Sequence, residues 1–273
     1  MTAPTTPPPT RPSDPVVDVP RVPWSVLGPE FIKKWGYARG KPMPEHVEIL
    51  GQTGSGKSYF ETCILLQRLI GRGSHIIVIA TKPADETLME TGWPVTDRYP
   101  HNDPRETAII YWPQASGLTK AGQVEQAHKI MELLNKLWKP NANIIIVFDE
   151  IAYLHVDLNQ ADPSLGIRAA LAKYYREGRG LGITIVASTQ RPQGVPRQMH
   201  SESGWTVCFA PKDEEDAKRM AQVLGSQRIY MPILLQLNRE KYEFLIVHGL
   251  TNKMYISWID HPLPESPSPR DRA

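Results

Sequence analysis

The feature that most constrains this chain is residues 51–58, which read Gly-Gln-Thr-Gly-Ser-Gly-Lys-Ser and fit the pattern G-x-x-x-x-G-K-[ST] in full. A strand-like apolar run precedes this segment at residues 46–50, and a helical pattern follows it at residues 59–70. Glycines let the backbone curl so that successive N–H groups point inward and form an anion nest. The segment therefore predicts a strand, a phosphate-binding loop and a helix, in that order.

The residues of this phosphate loop have distinct expected roles. The backbone N–H groups and the positive end of the helix dipole would bind a phosphate chain. Lys57 would contact the β- and γ-phosphates, and the Ser58 hydroxyl would bind Mg²⁺. The alternative is a glycine turn that binds nothing, which the flanking strand and helix disfavour. The predicted nucleotide-binding residues are Gly51, Gln52, Thr53, Gly54, Ser55, Gly56, Lys57, Ser58 and Tyr59.

A second motif is the apolar run at residues 144–148, which ends in Asp149 and Glu150. Because burying a carboxylate without a partner is costly, a bound cation is a good reason for such a pair. We expect Asp149 to hold Mg²⁺ and Glu150 to take a proton from the attacking water as general base. The alternative is an acidic pair that only caps the next element. A Glu directly after the metal-binding Asp favours ATPases, and the chain has no N-K-x-D run, so ATP is the expected nucleotide.

The remaining pattern predicts an α/β fold with a mainly parallel sheet and helices on both faces. Apolar runs without alternation are separated by helical patterns, and two further runs form a C-terminal β-hairpin. The additional strands are predicted at residues 75–80, 108–112, 182–188, 205–210, 241–248 and 253–259, and the additional helices at 122–138, 165–176 and 213–224.

Composition sets the limits of this domain within the 273 residues. Eight of the 26 prolines lie in residues 1–23 and four in residues 262–273, so both ends are predicted to be disordered Pro-rich tails around one domain at residues 24–261. The formal net charge of +2 makes no strong case for nucleic acid or membrane. The two cysteines do not indicate a disulfide framework. The longest apolar runs are about five residues, so we expect no membrane span. The N-terminus is rich in Thr and Pro and has no apolar core, so we expect no signal peptide, and the expected location is cytoplasmic.

Two further motifs carry a resemblance. Residues 178–183 read Gly-Arg-Gly-Leu-Gly-Ile, and residues 188–192 read Ser-Thr-Gln-Arg-Pro. Together with the phosphate loop and the acidic pair, they resemble the HerA/FtsK superfamily of DNA-pumping ATPases, in the family's order, over residues 45–259. One departure is Thr81, which follows the strand predicted at residues 75–80. Many relatives have an acid at this position, before the lysine.

The resemblance implies a RecA-like (ASCE) P-loop ATPase fold and a homo-oligomeric ring, a hexamer, with ATP at subunit boundaries. Arg179 matches the family's arginine finger, which reaches the neighbour's γ-phosphate, with Arg176 as the alternative finger and a surface salt bridge as the alternative role. Gln190 matches the polar sensor near the attacking water, against a simple strand-end cap. Without the FtsK membrane domain and winged helix, the chain resembles a bare motor such as the genome-packaging ATPases of some viruses.

Local charge gives some support to DNA as the substrate. Residues 166–198 carry six Lys or Arg against Glu177 alone, and such a basic surface binds phosphates in a salt-dependent, sequence-independent way. Lys120 and Arg197 are the predicted DNA contacts, with solvated surface charges as the alternative.

The expected function is therefore an ATP-driven motor that translocates double-stranded DNA, for genome packaging or DNA transfer of phage or mobile-element type. A portal, capsid or membrane partner would accompany it, and could hold it at a virion or a membrane. The alternatives are a secretion or virion-assembly ATPase that acts on protein, and an ATP-dependent scaffold without DNA.

Overall fold

A computed structural model of the chain describes residues 18–35, 45–72, 75–81, 86–99, 108–114, 119–190 and 192–264. The described strands form one nine-stranded sheet, in the order β3-β4-β2-β5-β6-β1-β7-β8-β9. Strands β1 to β7 pair in parallel, and β8 and β9 are antiparallel additions at one edge. The strands are β1 (His46–Leu50), β2 (His75–Ile79), β3 (Val95–Thr96), β4 (Ala108–Tyr111), β5 (Ile144–Phe148), β6 (Ile183–Thr189), β7 (Ser203–Phe209), β8 (Phe244–His248) and β9 (Lys253–Ser257).

Helices lie between most successive parallel strands, because a parallel pair needs a long crossover connection. A short π-helix, Tyr153–Leu158, follows β5, and 3₁₀ turns lie at Pro163–Leu165 and Pro192–Gly194. Along the described stretches of the chain, every helix is too short or too polar to cross a bilayer. The α-helices are α1 (Trp24–Trp35), α2 (Lys57–Arg72), α3 (Glu86–Met89), α4 (Lys120–Leu137), α5 (Asn159–Ala161), α6 (Ile167–Leu181), α7 (Arg197–Glu202), α8 (Glu214–Val223) and α9 (Gln227–Leu234).

The sheet separates two apolar cores, because successive side chains of a strand point to opposite faces. On β5, Ile144 and Ile146 belong to the core under α4, α6, α8 and α9. Ile145 and Val147 belong to the core under α1, α2 and α3. The second core is rich in aromatic rings, among them Trp24, whose centroid lies 5.0 Å from that of Phe60 and 5.8 Å from that of Phe244. The predicted helices on both faces of a mainly parallel sheet are thus confirmed.

Helix α6 ends later than predicted, at Leu181 rather than near residue 176. Gly178 and Gly180 lie inside the helix, and Gly182 ends it with a left-handed φ of +88°. The Gly182 N–H donates to the Arg179 carbonyl at 3.1 Å, as in common glycine-terminated helices. Arg179 therefore lies on the last turn of a helix.

The N-terminal boundary also differs from the prediction. Arg21 forms a parallel bridge with Ile256 of β9. The Val22 N–H donates to the Ile256 carbonyl at 2.9 Å, and the Ile256 N–H donates to the Pro20 carbonyl at 2.9 Å. The chain is therefore ordered against the sheet before residue 24. The predictions for residues 1–17 and 265–273 lie outside the described residues.

The two predicted DNA contacts, Lys120 and Arg197, both lie on helices. Helix α4 begins at Lys120, two residues before the predicted start, because the Thr119 hydroxyl caps it by accepting from the Gly122 N–H at 3.2 Å. Arg197 opens the short helix α7, which is not among the predicted helices. The first strand of the C-terminal hairpin begins at Phe244, three residues after its predicted start at 241.

Candidate nucleotide-binding site

The candidate site lies at the carboxyl ends of β5, β6 and β1, which are neighbours in the sheet. Because parallel strands end at the same edge, the segments that follow them converge there. Lys57, Asp149 and Gln190 all border one cavity of about 760 Å³ at this edge. The structure thus brings together three predicted site residues that lie far apart in the sequence.

The phosphate loop has the curled backbone that its glycines predict. Gly54 and Gly56 have φ values of +75° and +97°, a region that residues with a Cβ avoid. Lys57 is 8% exposed, and its Nζ donates to the Gln52 carbonyl at 2.9 Å. Six of the nine predicted nucleotide-binding residues line the cavity, namely Thr53, Gly54, Gly56, Lys57, Ser58 and Tyr59.

Asp149 and Glu150 occupy different positions at the end of β5. Asp149 is 7% exposed and borders the cavity, and its Oδ2 accepts from the Thr81 hydroxyl at 3.4 Å. Glu150 is half-buried, and the end of β6 holds both of its carboxylate oxygens. Its Oε1 accepts from the Thr189 hydroxyl at 2.7 Å, and its Oε2 accepts from the Gln190 N–H at 3.1 Å. The orientation of Glu150 is therefore fixed by β6.

Gln190 connects this carboxylate to the phosphate loop. Its backbone N–H contacts Glu150, and its side-chain Oε1 accepts from the Thr53 hydroxyl at 2.7 Å. The neighbouring loop residue Gln52 donates from Nε2 to Oδ2 of Asp216 on α8 at 2.8 Å. Gln52 and Gln190 also border a second cavity, of about 590 Å³. The site is thus one connected set of polar contacts.

The residues at this edge fit a bound Mg²⁺. Ser58 and Asp149 both border the cavity and offer oxygen donors. Mg²⁺ sites in nucleotide-binding proteins commonly use one or two protein oxygens together with the substrate phosphates and water. Ser58 and Asp149 would hold the ion in that way.

A family match covers the first part of this site. The sequence model of the family described as "Helicase HerA, central domain" matches residues 41–79, which include β1, the phosphate loop and β2. A search of the curated proteins gave no match.

Solved structures share the fold over most of this chain. The genome packaging NTPase B204 from Sulfolobus turreted icosahedral virus 2, in complex with AMPPCP, has a TM-score of 0.55 and 14% identity, over 82% of this chain and 100% of that chain. VirB4 of Thermoanaerobacter pseudethanolicus has a TM-score of 0.58 and 12% identity, over 82% and 91% of the two chains. EssC (ATPases 2 and 3) from Geobacillus thermodenitrificans has a TM-score of 0.53 and 16% identity, over 82% and 41%.

This chain has the fold of these solved structures, and its residues 41–79 resemble the HerA central domain. The predicted resemblance and the predicted fold class are confirmed.

Arg179 lies at the other end of β1. It is close enough to the buried His46, the first residue of β1, to help lower its pKa to about 4. Burial is the main cause of that shift, and a hydrogen bond with the Tyr175 carbonyl opposes it. The phosphate loop follows the last residue of β1, so Arg179 does not join the site within one chain. Arg176 is exposed on the same helix.

The two predicted DNA contacts lie outside the nucleotide cavity. Lys120 and Arg197 are both exposed and are the first residues of α4 and α7. Their role stays a prediction.

Several contacting residues escaped the sequence analysis. Thr81 and Thr189 are located in quoted motifs but were given no role, and the fold places their hydroxyls on Asp149 and Glu150. Asp216 belongs to the acidic first turn of α8, a helix that was predicted without a role in the site. Tyr242, which borders the cavity, stands in a stretch without any motif.

Proposed function

We propose that this chain is an ATP-hydrolysing motor that translocates double-stranded DNA, in genome packaging or DNA transfer of the phage or mobile-element type. The observation that best supports ATP hydrolysis is the fixed position of Glu150. Its two oxygens are bound by Thr189 and by the backbone of Gln190, whose side chain contacts the phosphate loop. A carboxylate held in this way can accept a proton from a water beside the γ-phosphate.

The other residues of the site would bind and orient the nucleotide. The phosphate loop and Lys57 bind the phosphates, and Ser58 and Asp149 hold Mg²⁺, which neutralises charge that develops on the phosphates. Gln190 orients the attacking water through its side-chain amide. ATP is the proposed nucleotide, which agrees with the AMPPCP and ATP-gammaS complexes of the packaging NTPase B204.

A ring of identical subunits would complete the site. Arg179 lies at the amino end of β1, away from the phosphates of its own chain, so its proposed action on a γ-phosphate requires a neighbouring copy. An arginine supplied to a phosphoryl-transfer site increases the rate by about 10³–10⁵-fold. We propose a homo-oligomer, a hexamer, located in the cytoplasm and acting with a portal, capsid or membrane partner.

The similarity to the DNA-packaging ATPase B204, with a TM-score of 0.55 and 15% identity, supports DNA as the substrate. The exposed positions of Lys120 and Arg197 are compatible with contacts to a phosphate backbone. Such contacts would be read without sequence specificity and would weaken with salt.

The test is steady-state ATP hydrolysis with and without long linear duplex DNA, with Lys57→Ala as the control without phosphate binding. We expect several-fold stimulation by DNA that falls with increasing salt and is absent in the control. The double variant Lys120→Ala with Arg197→Ala should reduce the stimulation, and Lys253→Ala, which changes an exposed lysine of β9, should not. Hydrolysis that is indifferent to DNA would instead favour a protein substrate. No hydrolysis in an assembled oligomer would contradict the motor and leave a nucleotide-dependent scaffold.

A further inference from the structure

The cavity has two chemically different ends. Lys57 and Ser58, at the start of α2, and Asp149, which follows β5, provide a charged and polar end. Phe209, Tyr242 and Ile259 line the other end. The strands β7, β8 and β9 that position these three residues lie on the opposite side of β1 from β5. A nucleoside triphosphate has the same division, with the phosphates at one end and the base at the other.

Tyr242 packs on the phosphate loop from this apolar end. A Cβ added at Gly56 would lie 3.3 Å from Cδ1 of Tyr242 and 3.3 Å from Cε1 of Phe209, so both rings contact the loop at this glycine. Phe209 is almost fully buried, whereas Tyr242 is 56% exposed. The position of Tyr242 is therefore not explained by burial of its own surface.

The backbone of Tyr242 is strained. Its φ is +52°, in the left-handed region that residues other than Gly, Asn and Asp rarely adopt. The Tyr242 N–H donates to the Arg239 carbonyl at 3.1 Å and closes a tight turn. Backbone strain of this kind persists where surrounding contacts impose it, and it concentrates at functional sites.

The next residue supplies those contacts. Glu243 is 4% exposed, and its carboxylate accepts from Nη1 of Arg21 at 2.6 Å and from the Asn238 N–H at 2.8 Å. The Glu243 N–H donates to the Asn238 carbonyl at 3.0 Å. This network fixes the turn and holds the exposed ring of Tyr242 at the cavity in advance of any ligand.

We propose that Tyr242 is the platform on which the nucleobase stacks, and thus the residue that binds the base end of the nucleotide. The inference rests on the proposed function, because it takes the cavity to be a nucleotide site. Stacking uses the face of the base, which all bases share, so the platform contributes affinity without reading the base edge. Removing an aromatic side chain that stacks on a base weakens binding by roughly 5- to 150-fold.

The test compares ATP with inorganic tripolyphosphate, a probe that has phosphates and no base. Both are titrated calorimetrically, with Mg²⁺, into the full chain and into Tyr242→Asn and Tyr242→Phe. Asn tolerates a positive φ, so Tyr242→Asn removes the ring while the turn can keep its conformation. Leu235→Ala is the matched control, since Leu235 is an exposed apolar residue at the end of α9, outside the cavity lining.

We expect Tyr242→Asn to weaken ATP binding at least fivefold, to leave tripolyphosphate binding unchanged and to keep the melting temperature. Tyr242→Phe and Leu235→Ala should bind ATP as the parent chain does. Unchanged ATP affinity in Tyr242→Asn would overturn the platform, as would an equal loss for ATP and tripolyphosphate. In both cases DNA-stimulated hydrolysis by the parent chain would leave the proposed motor intact. A parent chain that binds neither probe would overturn both proposals.

Discussion

The two ends of β1 carry polar residues in contrasting settings. At the carboxyl end, Glu150 and Gln190 are half-buried, and Gln190 borders the cavity. Their partners are the Thr189 and Thr53 hydroxyls and the Gln190 N–H. At the amino end, His46 is fully buried. Its Nε2 donates to the Tyr175 carbonyl at 3.0 Å, and its Nδ1 accepts from the Ile185 N–H at 3.0 Å. The carboxyl end thus faces a cavity that can admit a ligand, whereas the amino end is enclosed.

This contrast shows that the two edges of a parallel sheet can have different roles, one in ligand binding and one in stability. Polar loops follow the carboxyl ends of the strands at one edge of the sheet, where ligands bind. The amino end of β1 uses its histidine as a neutral connection between β1, α6 and β6. Arg179 belongs to this structural end, so its predicted role depends on a second copy of the chain.

The largest expected effect is at the carboxyl end, with Glu150→Gln. The amide keeps the size of the side chain but cannot accept the proton, so kcat should fall by about 10²–10⁴-fold. ATP affinity should remain within about twofold, since the phosphate loop is unchanged. Single-turnover hydrolysis and calorimetric titration measure the two quantities. A variant that hydrolyses ATP within tenfold of the parent rate would show that Glu150 is not the base.

The next largest effect is at the amino end, with Arg179→Ala. Hydrolysis by the assembled protein should fall by about 10³-fold, the lower range for an arginine finger, whereas Arg176→Ala should leave it within a few-fold. The informative measurement mixes Arg179→Ala with Glu150→Gln. Because one variant keeps the base and the other keeps the arginine, mixed rings should regain activity that neither has alone. If mixing restores nothing, Arg179 does not act across a subunit boundary.

His46 predicts a pH dependence of stability. Its folded-state pKa of about 4 is below the ordinary value of 6.5, chiefly because of burial, so the unfolded chain binds a proton that the folded chain does not. The free energy of unfolding should therefore fall as the pH drops from about 6.5 to 4, by on the order of 3 kcal/mol. Urea unfolding at several pH values measures this change. His46→Gln, which can keep one hydrogen bond, should flatten the dependence, and an unchanged slope would contradict the assignment.

The smallest expected effect is that of Thr189→Val, which removes the hydroxyl donor to Glu150 and keeps the backbone donor of Gln190. A hydrogen bond to a charged group contributes about 1.5–3 kcal/mol, so kcat should fall about tenfold or more with ATP affinity unchanged. Thr184→Val, a buried change on the same strand, is the control for stability. A loss in affinity without a loss in kcat would show that Thr189 acts on binding rather than on the position of Glu150.

The sequence predicted those parts of the fold that local patterns encode. The phosphate loop and the run before Asp149 were predicted because glycine loops, and apolar strands without alternating polar residues, have strong sequence signals. Helix α1 was not predicted, because its stability comes from packing: Phe31 contacts Trp205 at a centroid distance of 4.9 Å, far along the chain. A proline, Pro29, inside this helix also weakens its local signal.

The candidate site was predictable only where its residues belong to motifs. Lys57, Asp149 and Gln190 were identified in this way, but the support that Thr189 gives to Glu150 follows from the pairing of β5 with β6. Tyr242 was placed in a predicted strand because its surroundings are apolar. Its left-handed turn depends on the contact of the adjacent Glu243 with Arg21, which is distant in the sequence, and no glycine marks it.

The ion pair between Arg21 and Glu243 has a practical consequence for anyone who prepares this protein. Proline content alone would place the start of a trimmed version at Trp24. That version would lack residues 20–22, which pair with Ile256 of β9. It would also leave the carboxylate of Glu243 without its guanidinium. We expect this loss to loosen the turn at Tyr242, beside the nucleotide cavity. Residues 1–23, which look dispensable by their proline content, thus include Arg21, which anchors a turn of the nucleotide cavity.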